Sequence, residues 1–331
     1  MKILFIGGTG NISSACVHKA LNANHEVYLL NRGRTQAQIP SGVKIIKTDI
    51  NQIQKVKTEL KNYQFDVVAN FIAFKPADIE RDIHLFAGKT DQYIFISSAS
   101  VYQKPLANPV ITESTTLKNP FWAYARDKIS CEERLIQAYR EQDFPATIVR
   151  PSHTYNTMIP AAIGGGKEYT LIDRIKKGKK ILVHGDGTSL WTLTHADDFA
   201  RGFNGLLGNH QAIGHAFHIT SDEVLSWNQI YKTIGKAIDR EARLVHVPSE
   251  YICSYDQSKV GTLFGDKAES AIFNNDKIKA YVPGFQAIIP FFQGIRKTIQ
   301  WFEADPARKI INENANHFMD QLIESYEKAR S

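Results

Sequence analysis

The sequence predicts an α/β fold: a doubly wound parallel sheet with a smaller, mostly helical C-terminal portion. Three observations carry this. Short apolar runs alternate with helical patterns through the first half of the chain. The first run, Lys2–Ile6, ends in glycines and passes at once into a helical pattern (Ile12, Ala15, Cys16, Val17, Ala20, Leu21). Beyond about residue 155 the alternation gives way to loops and helices.

Taken in order, strands are expected at Glu26–Leu30, Val43–Lys47, Asp66–Asn70, Tyr93–Ser97 and Ala146–Arg150. Helical patterns separate them at Ile53–Asn62, Ala77–Ala87 and Ala123–Glu141. Strands spaced by helices imply parallel pairing with both faces covered. Pro145 and Pro151 bracket the sixth strand, where a missing N–H does little harm. Downstream, Gly164-Gly165-Gly166 reads as a flexible loop and Gly185-Asp186-Gly187 as a turn. A helix near Asp197–Leu207 and a strand at Ala216–Thr220 follow, then helices at Trp227–Ile238, Phe291–Phe302 and Ala315–Ala329. The expected division is a dinucleotide-binding part at 1–160, completed by elements within 180–220, and a substrate-binding part at 161–331.

The 331 residues are 43% apolar, which suits a globular chain, and no apolar run reaches the ~18 residues of a membrane span. With no charged leader before the first core strand, the chain reads as cytoplasmic. Cys16, Cys131 and Cys253 form neither a metal spacing nor a disulfide framework, and no metal is expected. Net charge is +6, part of it local in Lys176-Lys177-Gly178-Lys179-Lys180. That excess reads as a solvated face, an anionic substrate or nucleic acid, and no zinc-finger or RNA-recognition-motif signature promotes the last.

The stretch Gly7-Gly8-Thr9-Gly10-Asn11-Ile12-Ser13 has the strand–turn–helix context in which such a turn binds a dinucleotide. Gly7 and Gly8 permit the sharp turn, Gly10 permits approach of a pyrophosphate, and Ser13 stands where close helix–strand packing needs a small residue. About twenty residues on, Asn31 replaces the acid that would hold an NAD ribose, and Arg32 and Arg34 offer grips for a 2′-phosphate. This favours NADP, with NAD as the alternative. Asp49 is read as near the adenine amine or as a helix cap, and Asn70–Ala73 as backbone passing the cofactor.

Tyr124 and Lys128, four apart, share a helical face downstream of the strand end Ser97-Ser98-Ala99-Ser100-Val101-Tyr102. An ammonium beside a phenol lowers the phenol's pKa, and Ser98 can hydrogen-bond a substrate oxygen. The group suits proton transfer at a carbinol carbon during hydride transfer.

With these motifs the chain resembles the extended short-chain dehydrogenase/reductases of the NAD-dependent epimerase/dehydratase superfamily. The glycine turn, the serine-rich strand end, Tyr124 with Lys128, Arg150-Pro151 and Gly185-Asp186-Gly187 through His195-Ala196-Asp197-Asp198 fall in that family's order. The resemblance implies an NAD(P)-binding Rossmann-type fold and a Ser98, Tyr124, Lys128 catalytic triad. It implies a cofactor lying across Gly7, Gly10, Asn11 and Ile12 and running past Asn31, Arg32, Arg34, Asp49, Ile50, Phe71, Ile72 and Ala73 to Ser97, Tyr124, Lys128 and Pro151. It also implies a homodimer. Ser100, His153 and Trp191 are the substrate candidates. His153 and Trp191 stand where many members have an asparagine and an arginine on a nucleotide-sugar phosphate, and His153 is read either as ligand or as loop histidine. The expected activity is hydride transfer at a sugar or nucleotide-sugar hydroxyl or carbonyl. The alternatives are an NADP-dependent reductase of a non-nucleotide carbonyl, or a non-catalytic RNA-binding member, since the chain is also similar to the chloroplast stem-loop RNA-binding branch.

Overall fold

Seven short strands meet in one parallel sheet in this computed structural model, which describes residues 1–33 and 39–330. In chain order they are β1 (Lys2–Ile6), β2 (Glu26–Asn31), β3 (Lys44–Lys47), β4 (Phe65–Asn70), β5 (Thr90–Ile96), β6 (Ala146–Pro151) and β7 (Ala216–Ile219). Their order across the sheet is β7-β6-β5-β4-β1-β2-β3. Alternate residues of the inner strands serve two cores, which is why those runs are largely apolar, whereas the edge strand β3 buries only Ile46. Ile3 and Phe5 of β1 pack against α1 (Ser13–Asn22), while Leu4 and Ile6 face the opposite cluster. That cluster takes in α2 (Ile53–Glu59), α3 (Pro76–Phe86) and α4 (Ala123–Gln142).

The chain winds outward from β1 through β2 to β3, then returns to the other side of β1 as β4. A crevice opens at such a reversal, beyond the carboxyl ends of the strands. The glycine turn after β1 and the Asn70–Ile72 backbone after β4 lie at that place.

After β6 the chain builds a second body before β7 rejoins the sheet edge. Within it are α5 (Thr170–Lys176) and α6 (Ala196–Leu206), and α6 turns back onto the sheet, placing Phe199 and Phe203 in the core of β1 and α1. Two features differ from the sequence expectation. Lys180–His184 and Arg243–Val247 form a parallel pair, so the C-terminal portion holds strands as well as helices. The run Ile181-Leu182-Val183 is too short to declare itself as a strand before a turn. The Gly164–Gly166 stretch is also packed rather than loose. Gly166 exchanges backbone hydrogen bonds with Ile159, and a Cβ on Gly165 would lie 2.5 Å from the Ala161 carbonyl oxygen. Among the described residues no helix is long and apolar enough to cross a membrane, and no three His, Cys, Asp or Glu side chains gather as a metal site.

Candidate active site

The glycine turn is closed by its own serine. Ser13 Oγ accepts from Gly10 N–H (2.8 Å) and donates to the Gly7 carbonyl (2.7 Å). Gly7 has φ +82°, and a Cβ there would meet Ile72 Cγ2 at 2.4 Å. The roles of Gly8 and Ser13 are the reverse of the sequence reading. It is Gly8 that provides close packing, since its Cβ would fall 2.4 Å from Leu29 Cδ2 and 3.1 Å from Val17 Cγ2. Asn11 faces the second body: its amide donates to the Thr154 carbonyl (2.9 Å) and its Oδ1 accepts from Thr157 N–H (2.9 Å).

A cleft of about 460 Å³ runs from this turn along the strand ends. It gathers the expected Gly7, Gly10, Asn31, Arg32, Asp49, Ile50 and Ile72, and adds Thr9, Phe74, Asp78, Arg81 and Lys167. Asn31 Oδ1 accepts from Gly33 N–H (3.0 Å). Asp49 does not cap α2, whose N-cap is Gln52; it accepts from Asn51 N–H (3.0 Å) in a local turn while lining the cleft. Arg34 lies outside the described residues. The Phe71 ring is turned inward against Phe5 and Phe203, so only its backbone remains on the cleft side of the sheet. Ile12 is the N-cap residue of α1, half-buried.

Beyond the β5 end, α4 presents Tyr124, Lys128 and Glu132 on one face, as a four-residue spacing requires. Lys128 is buried, and its ammonium donates to the carbonyls of Ala73 and Ile96, both at 2.7 Å. Those bonds occupy the Ala73 carbonyl. Burial pushes Lys128 down to about 8. Its Nζ lies 5.9 Å from the Tyr124 ring centroid. The expected lowering of the phenol is not what this arrangement gives. Burial pushes Tyr124 up, a hydrogen bond shared with Ser98 pulls it back, and the Asp266 carboxylate raises it again. Desolvation outweighs the ammonium because Lys128 is turned to backbone carbonyls rather than to the phenol oxygen.

Ser100 Oγ donates to Ser98 Oγ at 2.9 Å, so Ser100 orients the hydroxyl that meets Tyr124. Ser97 donates to Glu132, which forms a buried ion pair with Arg150 at 2.6 Å. Arg150 in turn bonds the hydroxyl of Tyr102 (3.2 Å), and that hydroxyl meets His218 Nδ1 (3.1 Å). Ser97 therefore supports the floor of the site through its side chain. Pro151 closes β6 and pairs in register with Ile219.

The second body covers this floor with a strap, Lys259–Thr262 and the π-helical turn Leu263–Lys267. Three successive carbonyls of that turn are caught by side chains. Asn119 Nδ2 donates to Gly265 O (2.7 Å), Lys104 Nζ to Asp266 O (3.0 Å), and Trp227 Nε1 to Lys267 O (3.1 Å). His184 Nε2 also meets Lys267 O (3.0 Å); a carbonyl only accepts, so that nitrogen carries the proton. Trp122 fills the space opposite Gly261 and Gly265, and its ring centroid is 4.9 Å from that of Tyr124. Asp266 and Lys267 form an ion pair (2.6 Å) whose charges act on His153.

His153 lines a second cleft, of about 510 Å³, with Gly164–Gly166, Lys259 and Lys267. Burial pushes its imidazole down to about 3, so it is neutral, and its Nδ1 has no hydrogen-bond partner among the described residues. Trp191 is placed differently. It is buried against Trp227 (5.7 Å between centroids), with Lys104 Nζ 5.9 Å from its ring, and is not among the residues lining that cleft. His195 accepts from Asp197 N–H (3.2 Å) as the cap of α6. The sequence leaves the role of the Gly164–Lys167 loop open and gives no signal for Asp266 and Lys267 beyond Gly265 beside them.

Comparison with known proteins bears on the family and the fold. A family model described as the NAD dependent epimerase/dehydratase family matches residues 3–220. The 2'-dehydrokanamycin reductase of Streptomyces kanamyceticus is 26% identical over 253 residues, 76% of this chain and 70% of that protein. The chloroplast stem-loop binding protein of 41 kDa b of Arabidopsis thaliana is 27% identical over 266 residues, 76% of this chain and 67% of that one. Among solved structures, the dTDP-glucose 4,6-dehydratase of Bacillus anthracis in complex with NAD superposes with a TM-score of 0.73 at 18% identity, covering 93% of this chain and 98% of that one.

Proposed function

The chain belongs to the NAD dependent epimerase/dehydratase family, a group of enzymes of the extended short-chain dehydrogenase/reductase type, and on that premise we propose that it moves a hydride at a hydroxyl or carbonyl carbon of a sugar or nucleotide sugar. The observation that carries this is Tyr124 on one helical face with Lys128, whose ammonium lies 5.9 Å from the phenol ring centroid, beside a cleft that opens on the glycine turn. The residues fit a dinucleotide. Asp49, Asn31 and Arg32 line one part of the cleft and the glycine turn another, within a volume suited to a cofactor. A bound nicotinamide dinucleotide supplies the hydride donor or acceptor and, when oxidised, a positive charge that favours the phenolate.

The protein's own residues handle the proton. Tyr124 gives it to the substrate oxygen during reduction and takes it during oxidation. Ser98, oriented by Ser100, donates a hydrogen bond to the same oxygen. Asn31 and Arg32 support NADP over NAD, since neither repels a 2′-phosphate and the guanidinium attracts it.

A reductase that releases its cofactor is the second reading. Burial holds Tyr124 in its acid form, the state needed to protonate a reduced carbonyl, and the similar Streptomyces protein is named a reductase. Tyr124→Phe should lower kcat by about a hundredfold or more while dinucleotide affinity, measured by titration, stays within a factor of about two. Unchanged turnover would remove Tyr124 as acid/base. Cofactor that stays with the protein through purification supports epimerase chemistry, and ready loss supports the reductase.

A further inference from the structure

The proposed cofactor cleft contains a cation that comes from the second body. Lys167 lines the cleft together with Gly7, Thr9, Gly10 and Arg32, although it lies more than a hundred residues from any of them in sequence. Its neighbours in the chain are tied down. Gly166 exchanges two backbone hydrogen bonds with Ile159 (2.7 and 2.9 Å), and the Glu168 side-chain Oε1 accepts from Asn312 Nδ2 (2.9 Å). The Lys167 side chain is exposed and makes no hydrogen bond or ion pair among the described residues. Arg32 is likewise exposed, at the β2 end of the cleft, whereas Arg81 is buried and engaged by Asp78 (2.9 Å), Asp82 and Asn51, and so supports the wall. The acids Asp49 and Asp78 are taken up by Asn51 N–H and by Arg81 with the α3 N-terminus.

We propose that Lys167 grips the pyrophosphate of the dinucleotide from the side opposite the glycine turn. The inference rests on the dinucleotide reading above. The turn offers backbone N–H groups and a helix N-terminus to a phosphate, and both leave net negative charge unmatched. A fixed loop that carries an unengaged ammonium across the same cleft supplies the missing charge. The loop is also the wall between the two clefts, because Gly164–Gly166 line the substrate side.

The test is binding, measured by titration calorimetry with NADH, NADPH, ADP-ribose and adenosine. Lys167→Gln should weaken the first three alike, by about tenfold, and leave adenosine unchanged, while Lys167→Arg keeps most of the affinity. The melting temperature of the free variant should match the wild type, since the side chain is exposed. Equal affinities in wild type and Lys167→Gln overturn the proposal. A loss confined to NADPH also overturns it, because the ammonium would then sit on the 2′-phosphate. Wild-type protein that binds no dinucleotide removes the cofactor reading and this one together, whereas wild-type binding that Lys167→Gln leaves intact removes this one alone.

Discussion

The Lys128 ammonium is enclosed, with two backbone carbonyls as its hydrogen-bond acceptors and the rings of Phe95 and Phe74 at 4.6 and 4.8 Å. Burial lowers it from an ordinary 10.5 to about 8, and that shift has a sign in stability. Below about pH 8 the lysine is charged in both folded and unfolded chains, and enclosing the charge costs the fold its full amount. Between about 8 and 10.5 the folded protein has released a proton that the unfolded chain still holds, so stability rises with pH across that window. The gain is on the order of 3 kcal/mol. Urea unfolding of the free protein at pH 7 and pH 9.5 should show the rise, and Lys128→Met should be stable at both and lack it. A wild-type curve that is flat or falling from this group would mean the ammonium is better solvated than its enclosure suggests.

At the scale of the element, the β1–turn–α1 unit shows how local chemistry sets the site. Gly8 lets α1 approach β2, with Leu29 and Val17 where a Cβ would go. Gly8→Ala should cost about 1–3 kcal/mol by overpacking, although alanine is the better helix former nearby. In a Leu29→Ala background the added methyl finds room, so the cycle should show a favourable coupling of about 0.5 kcal/mol or more. Additive losses would mean the strain lies in the backbone rather than in the Leu29 contact. The same unit shows what was legible in the sequence. A strand buried on both faces must be apolar throughout, so β1, β2, β4, β5 and β6 announced themselves, and the glycines marked the turn. Trp191 misled because its neighbours were judged by sequence order, while its ring packs on Trp227 from another element. Lys167, Asp266 and Lys267 carry no periodic signal, and their place at the site depends on pairings such as Ile159 with Gly166 that only the fold creates. The pKa of Tyr124 was misjudged for a related reason: spacing shows which residues share a face, but burial decides which electrostatic effect dominates.

At the scale of the whole molecule, the two bodies share a core, so a cut near residue 160 meets a physical objection, consistent with the expectation that elements within 180–220 complete the first part. The last strand of the sheet, β7, and the helix that covers α1, α6, both come from beyond that point. Cutting there would expose the surfaces against which Phe199, Phe203 and Leu206 pack. At about 1.5–3 kcal/mol for each large side chain, that loss alone rivals the net stability of an ordinary domain. It would also strip β7 from β6, leaving an edge of unpaired backbone groups. A fragment of residues 1–160 should therefore lack a cooperative thermal transition and associate, whereas the full chain should unfold in one step by circular dichroism. Dinucleotide should raise that single midpoint, because Asn11 ties the glycine turn to Thr154 and Thr157 of the second body. Two resolved transitions in the full chain, with only one shifted by cofactor, would show instead that the bodies fold independently and that the shared core around α6 contributes little.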